Sequence, residues 1–167
     1  MAVDGEPRSF QSFMAAEHAA ILAFARAVSR SWAEAEDLTQ EAFLAAYQRW
    51  DAIASYDKPG AFVRRVVANK SVSGVRRRVR AAAAVERLGP PPAHEDEVAD
   101  PEFWAAVAAL PSQQRHVVAL YYLEDRPVAE IAQVLERAEG TVKAHLAAAR
   151  RNLAEALGHD RPDEEDR

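Results

Sequence analysis

The run Leu88-Gly89-Pro90-Pro91-Pro92-Ala93 divides this chain, because proline supplies no amide donor and restricts the residue before it, so no helix can cross the point. Acids follow at Glu95, Asp96, Glu97 and Asp100, and residues 88–100 therefore read as an extended, self-repelling linker that lets its flanks move relative to one another. On both sides the sequence is 49% hydrophobic overall but only 8% aromatic, an alanine-heavy balance that favours helix over strand. The expected fold is all-α: two small helical domains, residues 8–87 and 101–157, joined by that linker, with an acidic tail over 158–167. A chain of 167 residues is long enough for two such domains.

Apolar spacing and helix punctuation predict helices over 10–29, 32–50 and 59–85, then over 101–109, 112–123, 127–135 and 140–157. Pro101 and Pro127 suit a first helical turn, where the missing amide proton costs little. The chain has no cysteine, which removes disulfides and thiolate metal sites and suits a reducing cytoplasm. No segment reaches the roughly 20 apolar residues of a membrane span, and the amino terminus lacks the pattern of a signal peptide, so a cytoplasmic protein without membrane insertion is expected.

The formal net charge of -5 conceals a sharp local asymmetry. Residues 64–80 carry Arg64, Arg65, Lys70, Arg76, Arg77, Arg78 and Arg80 with no acid among them. Such a run of cations repels itself, and a phosphate backbone is its natural relief. Within it Asn69 offers an amide able to bond a base edge beside phosphate-binding cations, while Val63, Val66 and Val67 form an apolar stripe. A solubilising arginine face is the bland alternative.

At 100° per residue, Phe43, Ala46 and Trp50 share one side of the second helix, with Leu38 and Ala42 at its margin. The opposite side carries Asp37, Gln40, Glu41 and Gln48 around Leu44, the composition of a small protein-docking face in which leucine supplies burial and charge supplies orientation. A solvated face with one stray leucine fits the same pattern. In the last domain, Val128, Ile131, Ala132 and Leu135 have helical spacing, and a short break leads to Gly140-Thr141-Val142, which suggests a helix-turn-helix. On the final helix Val142, Leu146, Ala149 and Leu153 face inward. Lys143, Ala144, Ala147 and Arg151 face outward with His145 and Arg150 on their flanks, small residues beside cations that allow close approach to a major groove. An ordinary helical hairpin remains the alternative.

No catalytic constellation is visible. The five histidines include no pair at metal-binding helical spacing, and there is no phosphate-cradling glycine loop or nucleophile elbow. Neither an enzyme nor a cofactor or metal site is expected.

The string Ala35-Glu36-Asp37-Leu38-Thr39-Gln40-Glu41-Ala42-Phe43 resembles region two of the extracytoplasmic-function class of the sigma-70 family of transcription initiation factors. Phe62-Val63-Arg64-Arg65-Val66-Val67-Ala68-Asn69, followed by Arg76-Arg77-Arg78, resembles that region's promoter-melting helix. Leu110-Pro111-Ser112-Gln113-Gln114-Arg115 and Gly140-Thr141-Val142-Lys143 resemble region four, so both expected domains are covered in the family's order, with no region three. The resemblance implies an alternative sigma subunit of RNA polymerase. Asp37, Gln40, Glu41, Leu44 and Gln48 would dock on the polymerase's beta-prime clamp helices, and Leu110, Pro111 and Arg115 would face its beta flap. Phe62, Arg65, Asn69, Lys70, Arg76 and Arg77 would engage the minus-ten strand as it separates. Thr141, Lys143, His145, Arg150 and Arg151 would lie on the helix that reads the minus-thirty-five element, and an anti-sigma regulator is an expected further partner.

Departures from the family pattern are informative. Phe62 stands where tryptophan is usual and Ser73 where aspartate is frequent; Glu136 replaces a turn glycine and Ala138 a capping serine. Glutamate enters a left-handed turn less cheaply than glycine, so an altered turn and weaker or altered minus-thirty-five recognition are expected. Two other functions fit the same chain without the resemblance: a helix-turn-helix repressor with a ligand-binding or dimerising first domain, and a protein-interaction module without DNA contact.

Overall fold

The computed structural model describes residues 9–82 and 101–158, with the side chains of 74–82 left out. The linker over 88–100, nearly all of the acidic tail and the side chains of Arg76 and Arg77 therefore lie outside the described residues. Eight α-helices are described: α1 (Phe10–Val28), α2 (Trp32–Gln48), α3 (Trp50–Ile53), α4 (Pro59–Ala82), α5 (Pro101–Ala109), α6 (Ser112–Val118), α7 (Val128–Leu135) and α8 (Glu139–Ala156). No helix among the described residues is long and apolar enough to cross a membrane.

Local chemistry accounts for the helix starts. Ser9 Oγ accepts from the Ser12 amide at 3.1 Å, and Ser31 Oγ accepts from the Glu34 amide at 3.2 Å, each satisfying an otherwise orphaned donor. Glu34 in turn accepts from the Arg30 amide at 2.8 Å, so the entry to α2 resembles a capping box. α6 runs into a π-helical segment, Ala119–Leu123, a widened turn of the kind that often marks functional positions. Between α7 and α8 the chain turns at Glu136, whose φ of 52° and ψ of 50° are left-handed. The expected altered turn is not found: glutamate adopts the glycine geometry at a cost of about 1 kcal/mol. Ala138 precedes α8 without a side-chain cap, as its missing hydroxyl requires.

α1, α2 and α4 form the amino-terminal bundle, with Ile21, Phe24, Ala35, Ala42, Ala46, Val63 and Val67 fully enclosed. Phe10, Phe13, Phe43, Tyr47 and Trp50 pack edge-on or tilted at one end, with centroid separations between 4.8 Å and 6.5 Å. α5, α6 and α8 enclose a second cluster of Val107, Leu110, Val118, Ala149 and Leu153. The two halves pack against one another in this arrangement. Val117, Leu120, Ile131, Val134 and Val142 join the core of α1, α2 and α4, α7 packs on α4, and α6 packs on α1. The physical reason is that the carboxy-terminal half leaves one apolar face unburied on its own, and α1 and α4 supply the cover.

His116 lies at this junction, 2% exposed, with Nε2 2.9 Å from Ser71 Oγ and its ring against Phe24. Burial, and then the neighbouring Arg115 charge, lower its pKa to about 4. The neutral ring is therefore the native form, whereas an exposed histidine takes a proton near pH 6.5. Stability is fully present above about pH 6.5 and declines as pH falls toward 4, by about 2 kcal/mol between pH 7 and pH 5. Urea unfolding at those two pH values should give this difference, and His116→Gln should remove it; a variant with an unchanged pH profile would exclude His116 as the cause.

Candidate nucleic-acid interface

The carboxylate-bearing side of α2 is open. Asp37, Gln40, Glu41, Leu44 and Gln48 are all exposed, with Leu44 at 56%, while Leu38, Thr39, Ala42, Phe43 and Ala46 face the core. Beside Leu44 lies a shallow apolar groove of about 330 Å³, bordered by Phe10, Met14 and His18 of α1 and by Thr39, Gln40, Phe43 and Tyr47 of α2. Met14 and Tyr47 are exposed members of this surface that helix periodicity missed, because they join it only once α1 lies beside α2.

α4 behaves differently. Asn69 is exposed and Lys70 Nζ sits 2.6 Å from Glu41 Oε2, so a cation of the strand-binding set touches a carboxylate of the docking set. Phe62 is half-buried against the core. Arg65 is engaged by the other half of the chain: its guanidinium donates to the carbonyls of Gln133 at 2.9 Å and Val134 at 3.2 Å and pairs with Glu136 at 2.9 Å. Arg64, which the basic run placed among the phosphate contacts, is instead 2% exposed, with Nε 2.5 Å from Glu124 Oε2 and Nη1 2.8 Å from Glu17 Oε2. Gly60 makes room for this pair, since a Cβ there would lie 2.6 Å from Arg64 Nη1 and 2.8 Å from Glu17 Oε2.

α7 and α8 form the helix-turn-helix. Val142, Leu146, Ala149 and Leu153 are buried as their spacing requires, and Thr141, Lys143, Ala144, Ala147, Arg150 and Arg151 are exposed, with His145 half-buried. Arg150 Nε donates to the Tyr122 hydroxyl at 2.8 Å, and its guanidinium lies 5.6 Å from the Tyr121 ring centroid, so the π-helical segment orients this cation. The three residues expected to face the beta flap differ in exposure. Leu110 is 4% and Arg115 6% exposed; Arg115 donates to the carbonyls of Leu110 at 3.1 Å and Val28 at 3.3 Å, tying α6 to the end of α1. Pro111 alone of the three is exposed.

Helices throughout the described residues, with an exposed carboxylate-bearing helix, a basic helix and a helix-turn-helix, are the features of a DNA-binding protein that works with a larger partner. The Sigma-70 region 2 family matches residues 13–81, and the Sigma-70, region 4 family matches residues 101–153. The chain is 32% identical over 158 residues to the RNA polymerase sigma-E factor of Streptomyces avermitilis, covering 92% of this chain and 87% of that one. It is 31% identical over 167 residues to the ECF RNA polymerase sigma factor SigM of Mycobacterium tuberculosis, covering 94% and 81%. The sigma factor RpoE of Bartonella quintana, solved with the anti-sigma factor NepR, superposes with a TM-score of 0.76 at 25% identity over 91% of this chain and 98% of that one. The chain belongs to the sigma-70 family, in its extracytoplasmic-function class. It is an alternative sigma factor that binds core RNA polymerase and directs it to promoters, which disfavours the repressor reading.

Proposed function

We propose that the work is divided among three surfaces. Asp37, Gln40, Glu41, Leu44 and Gln48 dock on the beta-prime clamp helices of core polymerase. Phe62, Arg65, Asn69, Lys70, Arg76 and Arg77 hold the minus-ten strand as it separates, and Thr141, Lys143, His145, Arg150 and Arg151 read the minus-thirty-five duplex. Residues 8–87 and 101–157 are the corresponding functional units. Single-strand contacts offset the lost base pairing, so the chain itself performs no catalysis and needs no cofactor. It acts in the cytoplasm, and an anti-sigma regulator is its further partner, as NepR is for the Bartonella relative.

The observation that carries this reading is the exposure of Leu44, 56% exposed among exposed Asp37, Gln40, Glu41 and Gln48 and beside the apolar groove of Met14 and Tyr47, on a helix whose other side is core. A large side chain standing out of a polar ring is the anatomy of an interface anchor. Leu44→Ala should weaken capture by purified core polymerase about tenfold and reduce promoter-dependent transcription in step. Unchanged affinity would remove Leu44 from the docking face. With Leu110 and Arg115 enclosed, flap contact in this closed arrangement is assigned to Pro111 alone.

A further inference from the structure

Three carboxylates of region 4 face the basic segment that opens α4, and each meets a different cation. Glu130 of α7 pairs with Lys58, Glu124 with Arg64 at 2.5 Å, and Glu136 with Arg65 at 2.9 Å. Lys58's hydrogen bond is the chief reason that the Glu130 carboxyl is held below its usual range. The Gln133 and Val134 carbonyls complete the shell around Arg65, at the negative end of α7. Anionic oxygens gathered around Arg65 are what a phosphate backbone would supply. The reading helix of the other half is not covered in this way: Thr141, Lys143, Arg150 and Arg151 remain exposed.

Glu136 is the informative member of the row. It is locally unfavourable, a non-glycine side chain held at φ 52°, and what it gains there is the ion pair to Arg65. Glycine would hold the same turn without strain and leave Arg65 with two carbonyls alone.

We propose that Glu136, with the Gln133 and Val134 carbonyls, is a built-in substitute for DNA phosphate at Arg65, while Glu124 and Glu130 hold the chain closed, so that Arg65 is kept from single-stranded DNA until polymerase separates the halves. Free protein would then meet duplex through α8 before it could hold an opened strand. Glu136 is the adjustable member, since it is the most exposed of the three. The strand-shielding part rests on the proposed role of Arg65, whereas the closure itself does not.

The chain has no cysteine, so dyes can be placed at Glu36→Cys and Glu155→Cys, both exposed and one in each half. Energy transfer in the full-length protein should fall in Glu136→Gly, fall further in Glu136→Arg, and recover in the swapped pair Arg65→Glu with Glu136→Arg. Affinity of Glu136→Gly for a fluorescent single-stranded oligonucleotide should rise about threefold, the range of one partly exposed ion pair, and wild type should show the same rise in transfer-detected opening as salt is increased. Glu136→Gly should melt no lower than wild type, because the turn loses its strain. Transfer unchanged in both Glu136 variants would overturn the proposal. Opening without a gain in strand affinity would support the closure and overturn the role of Arg65 in holding the strand.

Discussion

Lysine at both Asp37 and Glu41 is expected to abolish capture of the protein by core polymerase while leaving the fold intact. The two residues are one turn apart on the exposed side of α2, on the same face as Leu44. A partner that meets Asp37 and Glu41 with complementary cations would face ammonium groups after the reversal, and like-charge juxtaposition across an interface costs several kcal/mol. About 4 kcal/mol corresponds to a thousandfold loss of affinity, enough to remove the protein from a pull-down at ordinary concentrations. Within the chain the cost is small: the Glu41 pair with Lys70 is exposed on both sides, a class worth under about 1 kcal/mol. Thermal melting should therefore move little, and binding of the isolated protein to minus-thirty-five duplex should be unchanged because α8 is remote from the substitutions. Capture within tenfold of wild type would exclude this face as the polymerase-docking surface.

The sequence made some of this plain and concealed the rest for a reason that can be located. The inward stripe of α8 and the two opposed faces of α2 follow from a single helix's period, and Val142, Leu146, Ala149, Phe43 and Ala46 are buried where that period puts them. The same logic failed at Arg64, and it had nothing to say of where Arg115 would be buried. A cation in an acid-free run reads as solvent- or phosphate-facing, and nothing local announces that Glu17 and Glu124 will close on Arg64, or that Arg115 will find the Val28 carbonyl. Those partners lie on other elements and, for Glu124 and Val28, across the proline-interrupted junction. The proline run marks where the halves divide, but a linker's composition says nothing about the apolar faces that meet across it. Glu136 stood out as a departure from a glycine position, but only the fold reveals that its carboxylate reaches Arg65. Met14 and Tyr47 joined the groove beside Leu44 by packing, which no one-helix reading contains.

The closed arrangement makes Arg64 the residue whose loss should cost most stability. Its guanidinium bridges Glu17 of α1 and Glu124 of region 4 from a site 2% exposed, a fork that one arginine spans and a lysine ammonium cannot match in the same geometry. Arg64→Ala leaves the Glu124 carboxylate, itself 6% exposed, with Arg126 as its remaining cation at 2.7 Å. Glu124 Oε1 already lacks a hydrogen-bond partner, so the carboxylate has no spare contact to fall back on. Removing one member of a buried pair costs about 3 kcal/mol, because the other charge stays desolvated. For a protein of this size that corresponds to a melting temperature lower by about 6–12 °C. The double replacement Arg64→Met with Glu124→Leu should recover most of that loss, since apolar groups of similar volume remove the stranded charge together with the pair. The expected pattern is thus non-additive: the single variant falls far and the double variant returns toward wild type, with calorimetry on the full chain as the measurement. Equal melting of the two variants, or a single variant within about 1 kcal/mol of wild type, would show that the Arg64 pair is not what binds region 4 to region 2.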